Sequence, residues 1–577
     1  MNKLVIAAVI LLSAGNVSAQ QCGEDTKPLT AISAIQGTSW QSPLVGQEVT
    51  TSGTVTANWS NDNELNGFVI QSNEPDDDSR SSEALFVTTK IAQQFAVGDF
   101  VVVTGEVSEV NEQTRLTDVT ALVSCPQARP VPAPVTVSLP FSNHEQREQY
   151  EHMLVTLTAA KSQQLTISGH YQLARHGYFD VSSGRLLTPS QVAEPGKAAR
   201  EHMQRNQLNR VQVDDNSDIE PTTLPFSQLN STAQNSLRSG TTLAPIVGIL
   251  TEFRGRARIQ PTEALSAEQI NEPTSPTGKA DNLRISSFNV LNLFNGDGEQ
   301  NGFPTERGAD TFAAYQRQQT KIVSALVEID ADVFGLMEVE NDGYGADSAI
   351  VQLVNQLNSA QDNQYVIAEP RAQRLGDDQI AVGLIYNRDR VKPVGHALTF
   401  TQGPFRSGSR PPLAQVFEDK RTGEQFTAVV NHFKSKGGCP EQGPNANQRD
   451  GQYCWNQQRV DSAKALTEWV AKNDFPAPVL LGDFNAYFKE DPLRYIESQG
   501  YTNVSGAEDY SYVFDSQAGA LDHILVDNAL NDRIKNVQHI HYNSDEPTVF
   551  SYQDTDHFEP GPYRSSDHDP VIIDVAF

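Results

Sequence analysis

The sequence predicts an α/β protein in which an all-β N-terminal part precedes a C-terminal layered sandwich of helices and sheets. Three observations carry this expectation. Five short runs rich in Val, Thr and aromatic residues fill 28–125, at 49–59, 67–72, 85–89, 100–107 and 116–123. Gly, Asn and Asp clusters separate them, as turns separate strands. Beyond residue 283 the pattern changes to apolar strand-like runs alternating with amphipathic helices. Between these parts, 135–270 holds further short strands, such as 154–157 and 245–249, around a polar middle.

Five strands in about 100 residues fit a small Greek-key barrel, assigned to 20–125. Pro-rich 126–134 opens a second β-rich domain over 126–270. Residues 271–282 read as a linker, since 271–279 gathers Asn, Ser, Gly and two Pro. In 283–577 a strand is expected at 283–291. A helix at 311–329 carries Phe312, Tyr315, Ile322, Val323, Leu326 and Ile329 on one face. A buried strand at 333–337 and a helix at 349–357 follow. Strands then recur at 380–386, 426–431, 478–481, 520–526 and 571–575, with a helix over 458–472. Strand–helix alternation with some direct strand-to-strand passages predicts a layered sandwich.

At 577 residues the chain is too long for one core. Its net charge of −29 repels polyanions at long range. The local balance differs: 371–436 holds eleven Lys/Arg against six Asp/Glu. Residues 1–19 have the layout of an export signal, with Lys3, an apolar core at 4–14 and Val17-Ser18-Ala19 before a cleavage point. That core is too short to span a bilayer, so a secreted, soluble, monomeric product acting away from membranes is expected. Four cysteines in an exported chain suggest two disulfides. Of three pairings, the local one is preferred: Cys22 with Cys125 and Cys439 with Cys454. Closing a loop of that second size is worth about 3 kcal/mol in the chain-entropy model.

Short polar motifs end the apolar runs of the C-terminal part: Ser287-Phe288-Asn289, Met337-Glu338, Asn431-His432, Gly482-Asp483-Phe484-Asn485, Leu521-Asp522-His523 and Ser566-Asp567-His568-Asp569. Singly, each fits a turn or a cap. Together, carboxylates, amides and imidazoles at strand ends suit hydrolysis of a phosphate ester. That reaction needs charge neutralised on oxygen, a base for water and a proton for the leaving oxygen. Glu338 and Asp567 are hard oxygen donors for Mg²⁺ or Mn²⁺. Asn289 and Asn485 offer amides. Asp483 can orient water. His432 and His568 titrate near neutrality, and Asp522 can hold His568 in one tautomer. His523 alternates to the opposite strand face and is assigned to packing. Arg371, Arg374, Arg410 and Lys434 are candidate phosphate contacts.

On these motifs, 283–577 resembles the endonuclease/exonuclease/phosphatase superfamily, and the resemblance implies the four-layer α/β sandwich of DNase-I-like nucleases. The segment Ile32 to Gly37 and the run Ser42-Pro43-Leu44-Val45-Gly46 look like the OB-like module that precedes this domain in secreted bacterial extracellular nucleases. The resemblance implies that Glu338 holds the divalent ion with Asn289 and Asp567 nearby. It implies that His568 and Asp522 handle the water, that Asp483 and Asn485 position water and phosphate, and that His432 assists at the leaving oxygen. It implies DNA, with RNA as a second candidate, as substrate, and Ca²⁺ as a further candidate ion. Which histidine is base and which acid stays open. The rival readings are a phosphoesterase of the same fold acting on lipids or small esters, and a non-catalytic adhesion protein.

Overall fold

The computed structural model describes residues 28–89, 95–125, 129–227, 229 and 236–577. The export signal expected at 1–19 and Cys22 lie outside the described residues.

The first unit forms because its strands alternate. β1 (Glu48–Trp59), β2 (Gly67–Gln71), β3 (Ala84–Thr88), β4 (Phe100–Glu109) and β5 (Thr114–Cys125) close into a barrel in the order β1-β2-β3-β5-β4. Phe68, Ile70, Leu85 and Val87 point inward with Val55, Val101 and Val103. Their alternates Val69 and Phe86 point outward and pack against the next unit. A bulge between Val55 and Ala57 reverses the alternation, so Ala57 and Trp59 join that outward face. The barrel therefore buries both faces of these strands.

The second unit is a nine-stranded sheet, more extensive than the irregular β segment expected. Its strands are β6 (Val135–Ser138), β7 (Leu154–Thr158), β8 (Leu165–Gly169), β9 (Tyr178–Ser183), β10 (Val211–Asp214), β11 (Thr242–Leu243), β12 (Ile246–Phe253), β13 (Arg256–Pro261) and β14 (Ala267–Gln269). They run in the order β14-β11-β8-β9-β10-β13-β12-β7-β6.

In the C-terminal unit, β15 (Leu283–Leu293), β16 (Val333–Glu340), β17 (Tyr365–Ile367), β18 (Ile380–Asn387), β19 (Val391–Thr399), β20 (Arg410–Asp419), β21 (Gln425–His432), β22 (Pro478–Asp483), β23 (Tyr501–Asn503), β24 (Tyr512–Phe514), β25 (Gln517–Gly519), β26 (Asp522–Asp527), β27 (Ile534–His539) and β28 (Val571–Val575) follow in turn. Two six-stranded sheets result, β17-β18-β16-β15-β28-β27 and β19-β20-β21-β22-β26-β23, with β24 and β25 forming a separate hairpin. The sheets bury Ile285, Met337, Val430, Leu481 and Ile573 against each other. Helices Phe312–Ile329 and Ala349–Ala360 cover one outer face. Helices Asn456–Lys472 and Asp491–Ser498 cover the other. This is the four-layer sandwich expected, a DNase-I-like fold. Cys439 and Cys454 are bonded with Cα atoms 5.4 Å apart, and Cys125 is a half-cystine.

The stretch read as a linker is a strap laid along the sandwich. The backbone of Thr277 donates to Gln538 Oε1 (3.0 Å), His541 N donates to Thr274 Oγ1 (3.1 Å), and Asn271 Nδ2 donates to Asp545 Oδ2 (2.9 Å). Asp545 also binds the second unit to the sandwich. Arg185 pairs with its carboxylate (2.7 Å), Tyr510 Oη donates to it (2.7 Å), and His170 Nε2 lies 2.7 Å from its carbonyl. Burial alone would raise the Asp545 carboxyl, but Arg185, His541 and Arg238 hold it well below the usual range. Beside it, Arg238 pairs with Glu546 in a fully buried ion pair.

A depressed carboxyl contributes stability above its unfolded pKa of about 3.9 and loses it as pH falls further. Removing one partner of such a buried pair costs about 3–5 kcal/mol. Arg185→Ala therefore lowers Tm at pH 7, and the gap to the unaltered protein narrows below about pH 4. Thermal melts at pH 7 and pH 3 check this; an equal gap at both would contradict the assignment.

Candidate active site

Strand register brings the predicted residues to one edge. β15 and β16 are parallel, as are β21 and β22, so Asn289, Glu338, His432 and Asp483 all emerge at their C-terminal ends. His432 is the register partner of Asp483, and Asp483 that of Asp522. His568 lies just ahead of β28, whose first residue Val571 pairs with Ser287 on β15.

Two local features aim these side chains. Glu338 sits in left-handed backbone (φ 65°) where the β16 register shifts, so a bulge turns its carboxylate toward the cavity. Gly482 lies at φ 144°, and a Cβ there would meet the Asn431 carbonyl at 2.0 Å. Only glycine lets β22 approach β21 this closely before Asp483.

A cavity of about 500 Å³ is lined by Glu338, His432, Asp483, Asn485, Asp567 and His568, with Arg410. His568 Nδ1 is 2.7 Å from Asp522 Oδ2, which also accepts from Ser511 Oγ (2.7 Å). The Tyr512 ring packs on His568, centroids 4.6 Å apart. Burial opposes charge on His568, yet Asp522 and Asp567 hold its proton affinity well above the ordinary imidazole range. His432 goes the other way: burial first, then Arg410, keep it neutral. Its Nε2 lies 3.3 Å from Arg410 Nη1 and 3.6 Å from Asp483 Oδ2. Burial raises Asp483 to about 7, opposed by His568 and reinforced by Asp522 and Glu338. Burial and Asp567 raise Glu338.

Asn289 stands between Glu338 and Asp483. Its Nδ2 donates to Glu338 Oε1 (3.3 Å) and Asp483 Oδ2 (3.2 Å), and its Oδ1 accepts from Leu291 N (3.1 Å). It clamps two carboxylates. Asn485 is held by bonds from its N to Asp483 Oδ1 (2.8 Å) and from its Nδ2 to the Phe433 carbonyl (3.2 Å).

The donor set fits a hard divalent cation. Glu338 and Asp567 face one cavity, the Asp567 charge helps burial raise the proton affinity of Glu338, and Asp567 Oδ1 is buried without a partner. Asp483, Asp522 and His568 also offer ligand atoms within 4.8 Å of one another. We assign that trio to proton handling, because His568 Nδ1 and Asp522 Oδ2 already bind each other.

Of the basic residues singled out, Arg410 lines the cavity and pairs with Asp378 (3.2 Å). Arg371 and Arg374 are exposed, and neither lines it; Arg371 bonds to the His396 ring. Lys434 turns over the Trp455 ring, 5.0 Å away. Instead Lys436 lines the cavity, paired with buried Glu490, together with Arg307. His523 is a packing residue, bonded to Asn503 and to the Ala486 carbonyl.

Sequence reasoning missed Ser511, Tyr512, Arg307 and Gln191. Gln191, from the second unit, accepts from the backbones of Phe488 (3.2 Å) and Ala520 (3.1 Å). It thereby braces the loops that follow Asn485 and precede Asp522. No periodicity marks these residues; the Tyr510-Ser511-Tyr512 run ahead of a hairpin was the one available signal.

Fold and site together define a DNase-I-like sandwich with an acid–base edge. Residues 286–568 match the Endonuclease/Exonuclease/phosphatase family. Similar solved structures include the human Nocturnin catalytic domain with bound sulfate (15% identity, covering 51% of this chain and 93% of that one, TM-score 0.34). Others are a Bacteroides thetaiotaomicron mannosyl-6-phosphatase (16%, 51% and 100%, TM-score 0.34) and D. rerio TDP2 complexed with single strand DNA product (13%, 52% and 100%, TM-score 0.32). No curated protein matches the chain.

Asp522→Asn removes the charge that holds the proton on His568. The His568 titration followed by NMR then moves down, and hydrolysis slows by about 10²–10⁴-fold. An unmoved titration would contradict the pairing.

Proposed function

We propose that this protein is an exported nuclease that hydrolyses phosphodiester bonds of DNA, with RNA as a second substrate, using Mg²⁺ or Mn²⁺. The observation that supports this best is the convergence of Glu338, His432, Asp483, Asp567 and His568 on one cavity. A divalent ion held by Glu338 and Asp567 would neutralise charge on a phosphoryl oxygen. Around that position Asp522 binds His568 through Nδ1 and stabilises its cation, which leaves Nε2 to move a proton at the attacking water. Asp483 orients that water, with Asn485 beside it. His432, kept neutral, and Arg410 stand where charge on the leaving oxygen would develop.

Export is supported by the signal-like layout of 1–19 and by the Cys439–Cys454 bond, since disulfides persist in oxidising compartments. The strand order of the barrel supports reading 48–125 as an OB-like module. Ca²⁺ is a further candidate ion. The polar loop between Cys439 and Cys454 disfavours a lipid substrate, and among the described residues no helix is long and apolar enough to cross a membrane.

Purified mature protein should degrade plasmid DNA with Mg²⁺ and stop when EDTA is added. His568→Ala should lower kcat by about 10²–10⁴-fold. Intact DNA under every divalent ion tried, with turnover of sugar phosphates or lipid vesicles instead, would overturn the nuclease reading.

A further inference from the structure

The cavity around the candidate active site does not end at the sandwich. Asp567 and Tyr512 line it, and they also line a larger cavity of about 820 Å³ whose far wall belongs to the second unit. That wall is the β12–β13 hairpin, with Phe253, Arg254 and Arg256 at its turn, together with Tyr171 and Tyr178. On the near wall stand Phe514, from the β24–β25 hairpin, and Arg564.

The chemistry of this groove differs from the rest of an acidic molecule. Arg254 and Arg564 have no carboxylate within ion-pair distance among the described residues. Arg256 meets Asp515 (3.3 Å), which Arg210 also holds (2.9 Å), and Arg210 binds the buried Asp180 (2.9 Å). Four arginines thus face three carboxylates, one of which is the candidate metal ligand Asp567. The Arg254 and Arg258 guanidinium groups lie 5.0 and 4.5 Å from the Phe253 ring, so the hairpin presents a stacked cation–aromatic surface.

Exposed aromatics point the same way. Trp40, Tyr171 and Phe514 are the exposed large aromatics among the described residues, and Tyr171 (76% exposed) and Phe514 (56%) both line this groove, on opposite walls. Two wet aromatic faces across a cationic channel suit unpaired bases, which stack on such rings at about 1–3 kcal/mol each. A duplex keeps its bases stacked internally and cannot use them. The groove runs directly into the metal-ligand candidate, so a strand held there delivers its backbone to the reacting position.

Resting on the nuclease reading, we propose that the second β unit is a substrate-binding extension: the groove between its β12–β13 hairpin and Phe514 holds a single nucleic-acid strand leading to or from the scissile phosphate.

The test is fluorescence anisotropy of a labelled 12-nucleotide single strand with the full chain in EDTA, which blocks cleavage. The Arg254→Ala/Arg256→Ala double variant and Tyr171→Ala change exposed or half-exposed groups, and melting curves confirm that they fold. The double variant should weaken binding about tenfold and reduce the slope of log K against log salt by about 1.4, for two phosphate contacts at about 0.7 each. Tyr171→Ala should weaken binding with the salt slope unchanged. Arg388→Ala, just beyond β18 at the opposite sheet edge, should bind as the unaltered chain does. A blunt duplex of equal length should be little affected by Tyr171→Ala. Unchanged affinity in the double variant, or an equal Tyr171→Ala loss for duplex, would overturn the groove assignment. If the unaltered chain cleaves DNA while the double variant binds and cleaves normally, the groove fails and the nuclease reading stands. If the unaltered chain binds the strand through these residues but cleaves nothing with any divalent ion, the nuclease reading fails instead.

Discussion

Everything at the catalytic edge answers to one electrostatic constraint: Glu338, Asp483, Asp522 and Asp567 are crowded beside two buried histidines. Carboxylates so placed cannot all stay ionised without compensation. The fold supplies it in pieces. Asn289 donates to Glu338 and Asp483 at once, Ser511 and His568 bind Asp522, and Arg410 stands against His432. Two carboxylate oxygens at this edge stay buried without a partner, one on Asp567 and one on Asp522. A divalent cation held by Glu338 and Asp567 would complete the charge balance.

The same constraint accounts for the local backbone. A regular β16 would not aim Glu338 as its bulge does, and a side chain at position 482 would push β22 away from β21. Left-handed backbone at Glu338 and Asn485 is strain held in place by a surrounding, fully buried framework. Part of that framework comes from outside the sandwich. Gln191 braces two catalytic loops, and Arg185, Tyr510 and His541 stack over one another, with His541 Nδ1 bound to Asp569 beside His568. The second β unit is therefore part of how the site holds its shape.

Much of this was legible in the sequence, for a physical reason. The helix at 312–329 buries a periodic face, and β15, β16, β18, β21, β22, β26 and β28 are apolar runs buried on both sides, so their positions follow from the hydrophobic pattern. The motif residues end those strands, so their convergence follows from sheet topology. Other features carry no such signal. Strands β17, β19, β23, β24, β25 and β27 were not expected. Tyr512 and Ser511 lie at a hairpin, and Gln191 sits about 300 residues from the loops it braces. Arg371 and Arg374 belong to a basic stretch in sequence, but the connection before β18 carries them outward. Asn289 was expected near the ion, and the bonds from its amide hydrogens to Glu338 and Asp483 are set by partners arriving from β16 and β22. The groove toward Phe253 and Arg254 belongs to two units at once and could not be read from either alone.

The central claim concerns where the cation sits. Crystals soaked in Mn²⁺ and measured at the manganese absorption edge should show one anomalous peak between Glu338 and Asp567, with His568 still bound to Asp522. A peak seated on Asp483, Asp522 and His568, or no peak within reach of Glu338, would contradict the account.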